Sequence, residues 1–403
     1  MKVSTMRRVD RWAGVPICLA LTAWRRITSL FSRLPADPPR AILFVKLAEQ
    51  GATVLAYPAI RRAVEMVGKD NVYFLVFQEN RFILDAMELI PPENVFTIRT
   101  NGILGAMVSC LRTLKRIRMR KIDAALDFEF FARSSAILTY LTGAKRRVGL
   151  HAFSGAGPYR GDLMTHRLGF NPHMHISQTF QVQVEALNAP PEKLPALDIE
   201  RPPEIQEVPQ FRAGDDEIAE VRQRVRAEMG DKTGGRLVLF NANCSDLLPL
   251  RKWPEDNYVK LAHLLLDAFD DLHIAFTGAP EEAAGVGPLL ERIGSDRCFS
   301  MAGKTTLRQL LILYGLADVL VTNDSGPAHF AALTPVHVVA LFGPETPELF
   351  GMRNERGHAM WSRLPCSPCV NVYNNRLSTC RDNLCLKRIT PEQVFEQVRS
   401  LIS

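Results

Sequence analysis

The chain has 403 residues, of which 47% are hydrophobic, and 49 basic side chains face 43 acidic ones, for a net charge of +6. This length predicts two globular domains, and a charge surplus this small argues against a nucleic-acid-binding protein, which needs a concentrated basic stripe. Four of the eight cysteines are scattered along the chain, which indicates a reducing compartment.

The first 36 residues form a basic and apolar segment. The uncharged run from Trp12 to Trp24 ends at Arg25 and Arg26, and it is about half as long as the roughly 20 residues that a membrane-spanning helix needs. Tryptophans at both ends favour a segment lying in the membrane interface. The alternatives are an ordinary soluble helix, a membrane-spanning helix and a cleaved signal peptide. Pro16 inside the run is unusual for a signal peptide.

Residues 37–205 predict an N-terminal α/β domain. Short apolar runs rich in aromatic and β-branched residues alternate with helical stretches, which is typical of a parallel sheet covered on both faces. A basic run from Arg112 to Lys121 is typical of a solvated helix face, and it could also meet acidic lipid headgroups or a phosphorylated acceptor. The predicted elements are strands over 41–46, 71–77, 122–127 and 147–150 and a helix over 56–67.

A proline-rich stretch over 190–209 leads into a second alternating series, assigned to a domain over 206–390. The fold class is therefore α/β, with two doubly wound Rossmann-like domains facing a central cleft, and ligands are expected outside the carboxyl ends of the strands. The predicted strands cover 236–240, 272–276, 319–322 and 336–342, and the predicted helices cover 217–229, 254–269, 281–293, 307–317 and 327–333.

The strongest local motif follows a predicted strand. It reads Asn323-Asp324-Ser325-Gly326-Pro327, and a proline suits the first helical turn. The N–H groups of Ser325 and Gly326 at a helix start could bind a phosphate. Asp324 would repel phosphate, so it is expected to fix the turn or bind sugar hydroxyls. The alternative interpretation is an ordinary strand-to-helix turn with a polar cap.

Three further residues of the second half are candidates. Arg251 and Lys252 follow its first strand and could reach a pyrophosphate, although a basic pair is often only surface charge. His329 lies in the first turn after the proline, where a phosphate or sugar contact is one interpretation and a buried structural histidine the other. Trp253 is expected to be a packing residue.

The first half offers a glycine loop after its first strand, over 46–58. Glu49 lies at the carboxyl end of that strand, where it could act as a general base. A solvated loop glutamate is the alternative.

Four cysteines are grouped near the end of the chain. Cys366 and Cys369 have the usual spacing of one zinc-binding pair, and Cys380 and Cys385 form a slightly wide second pair. Three states of these cysteines remain as alternatives: ligands of a structural zinc ion or an iron cluster, four unligated thiols, or disulfides.

In these features the sequence resembles glycosyltransferase family nine, the heptosyltransferase group that adds sugars to the lipopolysaccharide core. The resemblance covers about residues 41–400. It depends on the order of several individually weak motifs, over 46–58, 141–149, 251–254, 276–282, 302–307, 324–329 and 341–344.

The resemblance implies a GT-B fold, an acceptor on the N-terminal domain, a nucleotide-sugar donor on the C-terminal domain, and inversion in one displacement without a metal or other cofactor. Acceptor-side residues would be Lys46, Gly51 and Ala52. A C-terminal helix over 391–403 could pack back on the N-terminal domain. The implied phosphate contacts are Arg251, Lys252, Ser325 and Gly326, and the implied ribose or base contacts lie near Glu282 and from Gly303 to Thr305. The candidate donor-side residues also include Asp324, Pro327 and His329 from the motif itself.

One departure concerns the catalytic base. The family carries Gly-Asp where this chain has Gly51-Ala52, and alanine cannot accept a proton. Glu49 is interpreted as the replacement. The alternatives are a sugar-nucleotide-binding protein with impaired catalysis, and an epimerase or hydrolase on the same fold.

The expected partners are therefore an ADP-linked sugar, a glycolipid or polysaccharide acceptor, and a membrane contacted peripherally through residues 1–36, with no nucleic acid. The expected location is cytoplasmic, on the cytoplasmic face of the bacterial inner membrane.

Overall fold

A computed structural model describes residues 10–30, 35, 37–153, 155, 157–204, 208–230, 234–244, 248–374 and 376–403. The chain divides into two compact units. The first comprises Met1–Ile205 and Asn371–Arg376, and the second comprises Gln206–Val370 and Leu377–Ser403. The first unit is therefore completed by a short segment that lies far along the chain.

The first unit is built on a six-stranded sheet in the order β3-β2-β1-β4-β5-β6. All neighbouring strands are parallel, and β1 lies between β2 and β4. The central strands are buried on both faces, which explains why they are continuous apolar runs. The strands are β1 (Ile42–Val45), β2 (Val72–Phe77), β3 (Val95–Ile98), β4 (Ala124–Asp127), β5 (Arg146–Leu150) and β6 (His166–Leu168).

Among the described residues, the helices of this unit begin at Gly14. The longest, α5, has 18 residues and packs against β3. The helices are α1 (Gly14–Ser29), α2 (Gln50–Leu55), α3 (Tyr57–Val67), α4 (Phe82–Met87), α5 (Gly102–Met119), α6 (Arg133–Leu141) and α7 (Ile176–Glu185).

Helix α1 covers most of the described part of the predicted N-terminal segment. Cys18 and Thr22 are buried against the unit, and the helix packs on α6. Trp12, just before the helix, and Trp24 within it are exposed. The basic residues before Asp10 lie outside the described residues. No helix in the described part of the chain combines the length and the apolar character needed to cross a bilayer.

The second unit repeats the same topology in the order β12-β11-β10-β7-β8-β9, again with all neighbours parallel. The prediction of an α/β fold with two doubly wound domains is confirmed. The strands are β7 (Arg236–Asn241), β8 (Leu272–Phe276), β9 (Cys298–Ser300), β10 (Val319–Asn323), β11 (His337–Phe342) and β12 (Gly357–Trp361).

The C-terminal helix contributes to the core of the second unit. Val394 and Val398 are fully buried in the core of the second unit, where α15 packs mainly on α9. Its apolar stripe is therefore buried within the second unit. The helices of this unit are α8 (Asp215–Met229), α9 (Glu255–Ala268), α10 (Ala283–Ile293), α11 (Leu307–Leu316), α12 (Gly326–Ala331), α13 (Pro347–Phe350), α14 (Leu384–Lys387) and α15 (Pro391–Ile402).

Each sheet has one point at which the strand order reverses direction. It lies between β1 and β4 in the first unit and between β7 and β10 in the second. The loops that leave the carboxyl ends of the two strands flanking this point run to opposite faces of the sheet. A crevice forms between them, and ligands bind there in open α/β sheets. Ligand-binding residues are therefore expected directly after these four strands.

Candidate functional site

The candidate donor residues all follow strands of the second sheet at its carboxyl edge. Arg251 and Lys252 follow β7, whereas Asp324 and Ser325 follow β10, so these two groups flank the reversal point of the second sheet. The loops after β8 and β9 carry the remaining candidates on the neighbouring strands. This placement agrees with the position at which such sheets bind ligands.

The turn after β10 is held by side chains on both sides. Asn323 is fully buried; its Oδ1 accepts the Trp253 N–H at 2.9 Å, and its amide donates to the Asn243 carbonyl at 3.0 Å. The Ser325 hydroxyl donates to the Asn323 carbonyl at 3.1 Å. These bonds fasten the loop after β7 to the turn after β10.

Helix α12 begins at Gly326 rather than at Pro327 and has only six residues. The predicted helix over 327–333 is similarly short, so the aligned peptide dipoles at this site are few in either case. A Cβ added at Gly326 would approach the Phe330 ring to 3.2 Å. Packing therefore accounts for this glycine without a ligand.

Arg251 is engaged by two carboxylates. Its guanidinium forms an ion pair with Glu345 and another with Asp324, where Nε and Oδ2 are 3.5 Å apart. Asp324 and Glu345 are almost completely buried, at 3% and 2% exposure. Arg251 thus balances buried negative charge, and its ion pair with Asp324 joins the loop after β7 to the turn after β10. Lys252 is more accessible, at 39% side-chain exposure, and pairs with Glu255.

The loops after β8 and β9 touch each other. Gly303 has a φ of +71°, and a Cβ there would lie 3.1 Å from Cα of Pro280. Its N–H donates to the Gly278 carbonyl at 2.9 Å. Glu282 uses its carboxylate to accept the Ala279 N–H at 2.8 Å, and it stays partly exposed. Glycine is required here for close approach of two loops.

Thr305 and Pro327 are both partly exposed. His329 is buried at 7% exposure. Trp253 is fully buried and donates from its indole to the Ile389 carbonyl at 2.9 Å, which confirms the prediction that it is a packing residue.

In the first unit, the predicted base Glu49 lies between β1 and α2 at the reversal point of the sheet. Its backbone is left-handed, with φ of +62°, a conformation uncommon for a residue with a side chain. Its carboxylate is 36% exposed. Lys46, which is fully buried, places its ammonium 3.4 Å from Glu49 and 3.1 Å from Glu129.

Glu129 follows β4 and closes the other side of the reversal point. Its Oε1 accepts the N–H groups of Leu47 at 2.7 Å and of Ala48 at 2.9 Å. The loop that carries Glu49 is therefore fastened to the strand next to it. Arg376, from the segment Asn371–Arg376, forms an ion pair with the other oxygen of Glu49.

Gly51 and Ala52 are both buried in α2. The Thr53 N–H contacts the Glu49 carbonyl at 3.3 Å, so Ala52 and Glu49 lie about one helical turn apart. The methyl group of Ala52 supplies no proton acceptor at the place where the resembling family carries aspartate.

Among the four grouped cysteines, Cys366 and Cys380 are exposed, Cys369 is partly buried and Cys385 is buried. Burial raises the pKa of the Cys385 thiol, and the Cys369 sulfur lies 3.3 Å from the Ser378 hydroxyl. Within the described residues, no three histidine, cysteine or acidic side chains form a group that could hold a metal ion.

Three charged residues of these sites were missed by the sequence analysis. Glu129 has a signal, because it follows a strand that neighbours β1 in a parallel sheet. Glu345 similarly follows β11. Arg376 has no local signal, since it lies 327 positions from the residue it contacts.

Residues 110–378 match the sequence model of the family described as glycosyltransferase family 9 (heptosyltransferase). Among curated proteins, the lipooligosaccharide heptosyltransferase 2 of Campylobacter jejuni is 27% identical over 155 residues, which are 38% of this chain and 47% of that protein. The match thus spans about half the length of this curated relative.

Solved structures share the fold over nearly the whole chain. The ADP-heptose lipopolysaccharide heptosyltransferase II of E. coli has a TM-score of 0.67 at 18% identity, covering 90% of this chain and 98% of that one. The E. coli heptosyltransferase WaaC with ADP-2-deoxy-2-fluoro heptose has a TM-score of 0.58 at 16% identity, covering 89% and 99%. At these identities the likeness shows the fold, which is of the GT-B type.

Proposed function

We propose, since this chain belongs to glycosyltransferase family 9, that it transfers a sugar from a nucleotide-diphosphate donor to a hydroxyl of a lipid-linked glycan. The transfer inverts the anomeric carbon and needs no metal ion. A structural neighbour was solved with an ADP-linked heptose analogue, so ADP-heptose is the expected donor. The expected acceptor is the lipopolysaccharide core or another glycolipid.

The observation that carries this proposal is the setting of Glu49. It presents a partly exposed carboxylate at the reversal point of the first sheet, in a loop fastened by Glu129. Two cations, Lys46 and Arg376, contact it. These contacts orient the carboxylate, which is the group that takes the proton in the proposed reaction. A solvated loop glutamate would have none of these contacts.

The reaction then needs two groups from the protein. The carboxylate of Glu49 takes the proton of the acceptor hydroxyl while the hydroxyl oxygen of the acceptor bonds to the anomeric carbon. The bond from this carbon to the diphosphate breaks on the opposite side, which inverts the configuration. Lys252 and the N–H groups of Ser325 and Gly326 bind the diphosphate as it gains charge, and Arg251 holds the turn through Asp324.

Membrane contact follows from the acceptor. Trp24 of helix α1 and Trp12 just before it are exposed to solvent, while the other face of the helix packs on the first unit. Exposed tryptophans are typical of the membrane interface. We therefore propose peripheral attachment at the cytoplasmic face of the inner membrane.

The test combines binding and turnover. Calorimetry with ADP, UDP, GDP and CDP, with and without magnesium, should show metal-independent binding of one nucleotide, weakened by Lys252→Ala. Turnover with ADP-heptose and a heptose-deficient core glycolipid should fall about 10²–10⁴-fold in Glu49→Gln while nucleotide affinity is kept. Glu93→Gln, at an exposed carboxylate, is the matched control.

A sugar-nucleotide-binding protein is the second candidate, and the buried alanine at position 52 is the observation that favours it. Nucleotide binding without any turnover of the wild type would establish that candidate. Sugar release or epimerisation without acceptor would instead indicate a hydrolase or epimerase. Failure to bind every nucleotide would overturn both the transferase and the binding protein.

A further inference from the structure

The first turns of α5 expose an unusual amount of apolar surface. Leu104 is 74% exposed and Leu111 is 62% exposed, whereas a soluble helix normally turns such side chains to the core. Large contiguous apolar patches on a protein surface mark interaction sites. The exposed large apolar side chains of these turns are Ile103, Leu104, Met107, Val108 and Leu111.

The second half of α5 anchors the helix. Thr113, Leu114 and Ile117 are buried, and the two apolar ones join the core beneath the sheet face. Thr113 also donates from its hydroxyl to the Thr97 carbonyl at 2.9 Å. The helix is thus fixed at one end while its apolar turns project from the unit.

The charged side chains that follow the apolar turns along the chain are all basic. No aspartate or glutamate occurs between residues 100 and 122. Arg116 lies over the Phe96 ring and Arg118 donates to the Leu141 carbonyl at 2.8 Å. The basic side chains of this stretch are Arg112, Lys115, Arg116, Arg118, Arg120 and Lys121.

Helix α1 lies on the same side of the first sheet. It packs on α6, and Arg118 of α5 bonds to Leu141 at the end of that same helix. Right-handed crossovers also put α5 and α6 on one face, because the connections from β3 to β4 and from β4 to β5 run in the same direction along the sheet. The two helices with exposed apolar side chains therefore share one face of the unit.

We propose that α5 is a second membrane-docking element, with its apolar turns in the interface of an anionic bilayer and its basic residues at the headgroup phosphates. An apolar face beside Lys and Arg without acidic residues fits such a surface, whereas a protein partner would need no such one-sided charge. The choice of a bilayer rests in part on the proposed function, since a glycolipid acceptor is held in a membrane.

The test measures vesicle binding of the full chain by flotation, with no donor or acceptor present. Vesicles of phosphatidylethanolamine with phosphatidylglycerol should bind the protein, and phosphatidylcholine vesicles should bind it more weakly. Leu104→Glu should lower the partition coefficient about 10-fold, and Arg112→Glu with Lys115→Glu about 10-fold or more at low salt. ADP affinity of the same samples should be unchanged.

Matched controls are available in the chain. Ile199→Glu replaces an exposed apolar residue elsewhere in the first unit, and Arg222→Glu with Arg226→Glu reverses two exposed charges of α8. If the α5 variants bind vesicles as well as these controls do, the proposal is overturned, and α1 remains as the membrane contact. A wild-type dimer that Leu104→Glu converts to a monomer would also overturn it, because a second copy would then cover the apolar face. Loss of ADP binding in the wild type would count against the donor site and not against α5.

Discussion

The Lys46 ammonium is fully buried and lies within 3.4 Å of two carboxylates. Burying an ion costs several kcal/mol, and removing one partner of a buried pair leaves the other charge uncompensated. Glu129 is the more buried of the two acids. The ion pairs of Lys46 with Glu49 and Glu129 therefore hold the candidate base in place and also stabilise the loop after β1.

Lys46→Met should destabilise the protein by about 3–5 kcal/mol, because Glu129 and Glu49 then face each other without their shared cation. Glu129→Gln added to Lys46→Met should recover part of this loss, since a glutamine oxygen can still accept the two backbone N–H groups. Urea unfolding of both single variants and the double variant gives the coupling. Additive losses in the double variant would contradict the shared role.

Ala52→Asp restores the acid of the resembling family, yet it should not raise turnover if Glu49 is the base. Ala52 is only 8% exposed, so the new carboxylate would be buried next to the existing acid at a cost in stability. Initial rates of nucleotide release with donor and acceptor measure the effect, with Ala52→Asn as the uncharged control. A large gain in rate would mean that the natural chain lacks a base.

The residues identified in advance are those marked by a local motif. Glu49 and Asp324 follow predictable strands, and their placement at the sheet edges follows from strand order. Arg376 could not be found in this way, because only the folded chain brings it to Glu49. Arg251 is a candidate phosphate ligand from the sequence, and its two carboxylate partners become visible only in three dimensions.

At the scale of elements, the eight strands predicted from sequence are the four central strands of each sheet. The four that were missed, β3, β6, β9 and β12, are the edge strands. Edge strands have one neighbour and are partly exposed, so they need not be continuous apolar runs. Strand β12 has no fully buried residue and β9 has one. For β9 and β12 the missing signal thus has a physical cause, whereas β3 is mostly buried and is short, with four residues.

The docking of α1 depends on a glycine. Gly161 has a φ of +73°, and a Cβ there would lie 2.7 Å from the Thr22 hydroxyl and 3.0 Å from the Cys18 carbonyl. The next residue, Asp162, donates its N–H to the Thr22 hydroxyl at 2.9 Å. The helix is therefore held against a backbone that only glycine allows.

Gly161→Ala should release α1 from the first unit. The left-handed backbone costs about 1–2 kcal/mol for alanine, and the contact with Thr22 adds to this cost. Hydrogen exchange of the amides of α1 should become faster, whereas Gly169→Ala, where a Cβ would meet nothing within 4 Å, should leave it unchanged. Equal protection in both variants would contradict the packing described.

At the scale of the whole molecule, His166 links stability to pH. Burial, together with the nearby Arg146 guanidinium, lowers the pKa of this imidazole from 6.5 to about 4. The unfolded chain therefore binds a proton between these values that the folded chain does not. The stability is fully present above pH 6.5 and is lost as the pH falls towards 4.

The loss attributable to His166 should reach about 3 kcal/mol at pH 4, since one unit of pKa is about 1.4 kcal/mol. Thermal unfolding between pH 7 and pH 4 should show a shallower dependence for His166→Gln than for the wild type. His263→Gln, at an exposed histidine of α9, serves as the control. Parallel curves for all three proteins would show that His166 does not link stability to pH.

The discontinuity of the first unit has a consequence for synthesis on the ribosome. The segment Asn371–Arg376 belongs to that unit, and Arg376 supplies one ion pair of Glu49. A nascent chain that has emerged only as far as residue 205 can assemble the first sheet, since all six strands are present, but it cannot complete the setting of the candidate base. The order of translation thus delays that acidic site until nearly all of the second unit has been made.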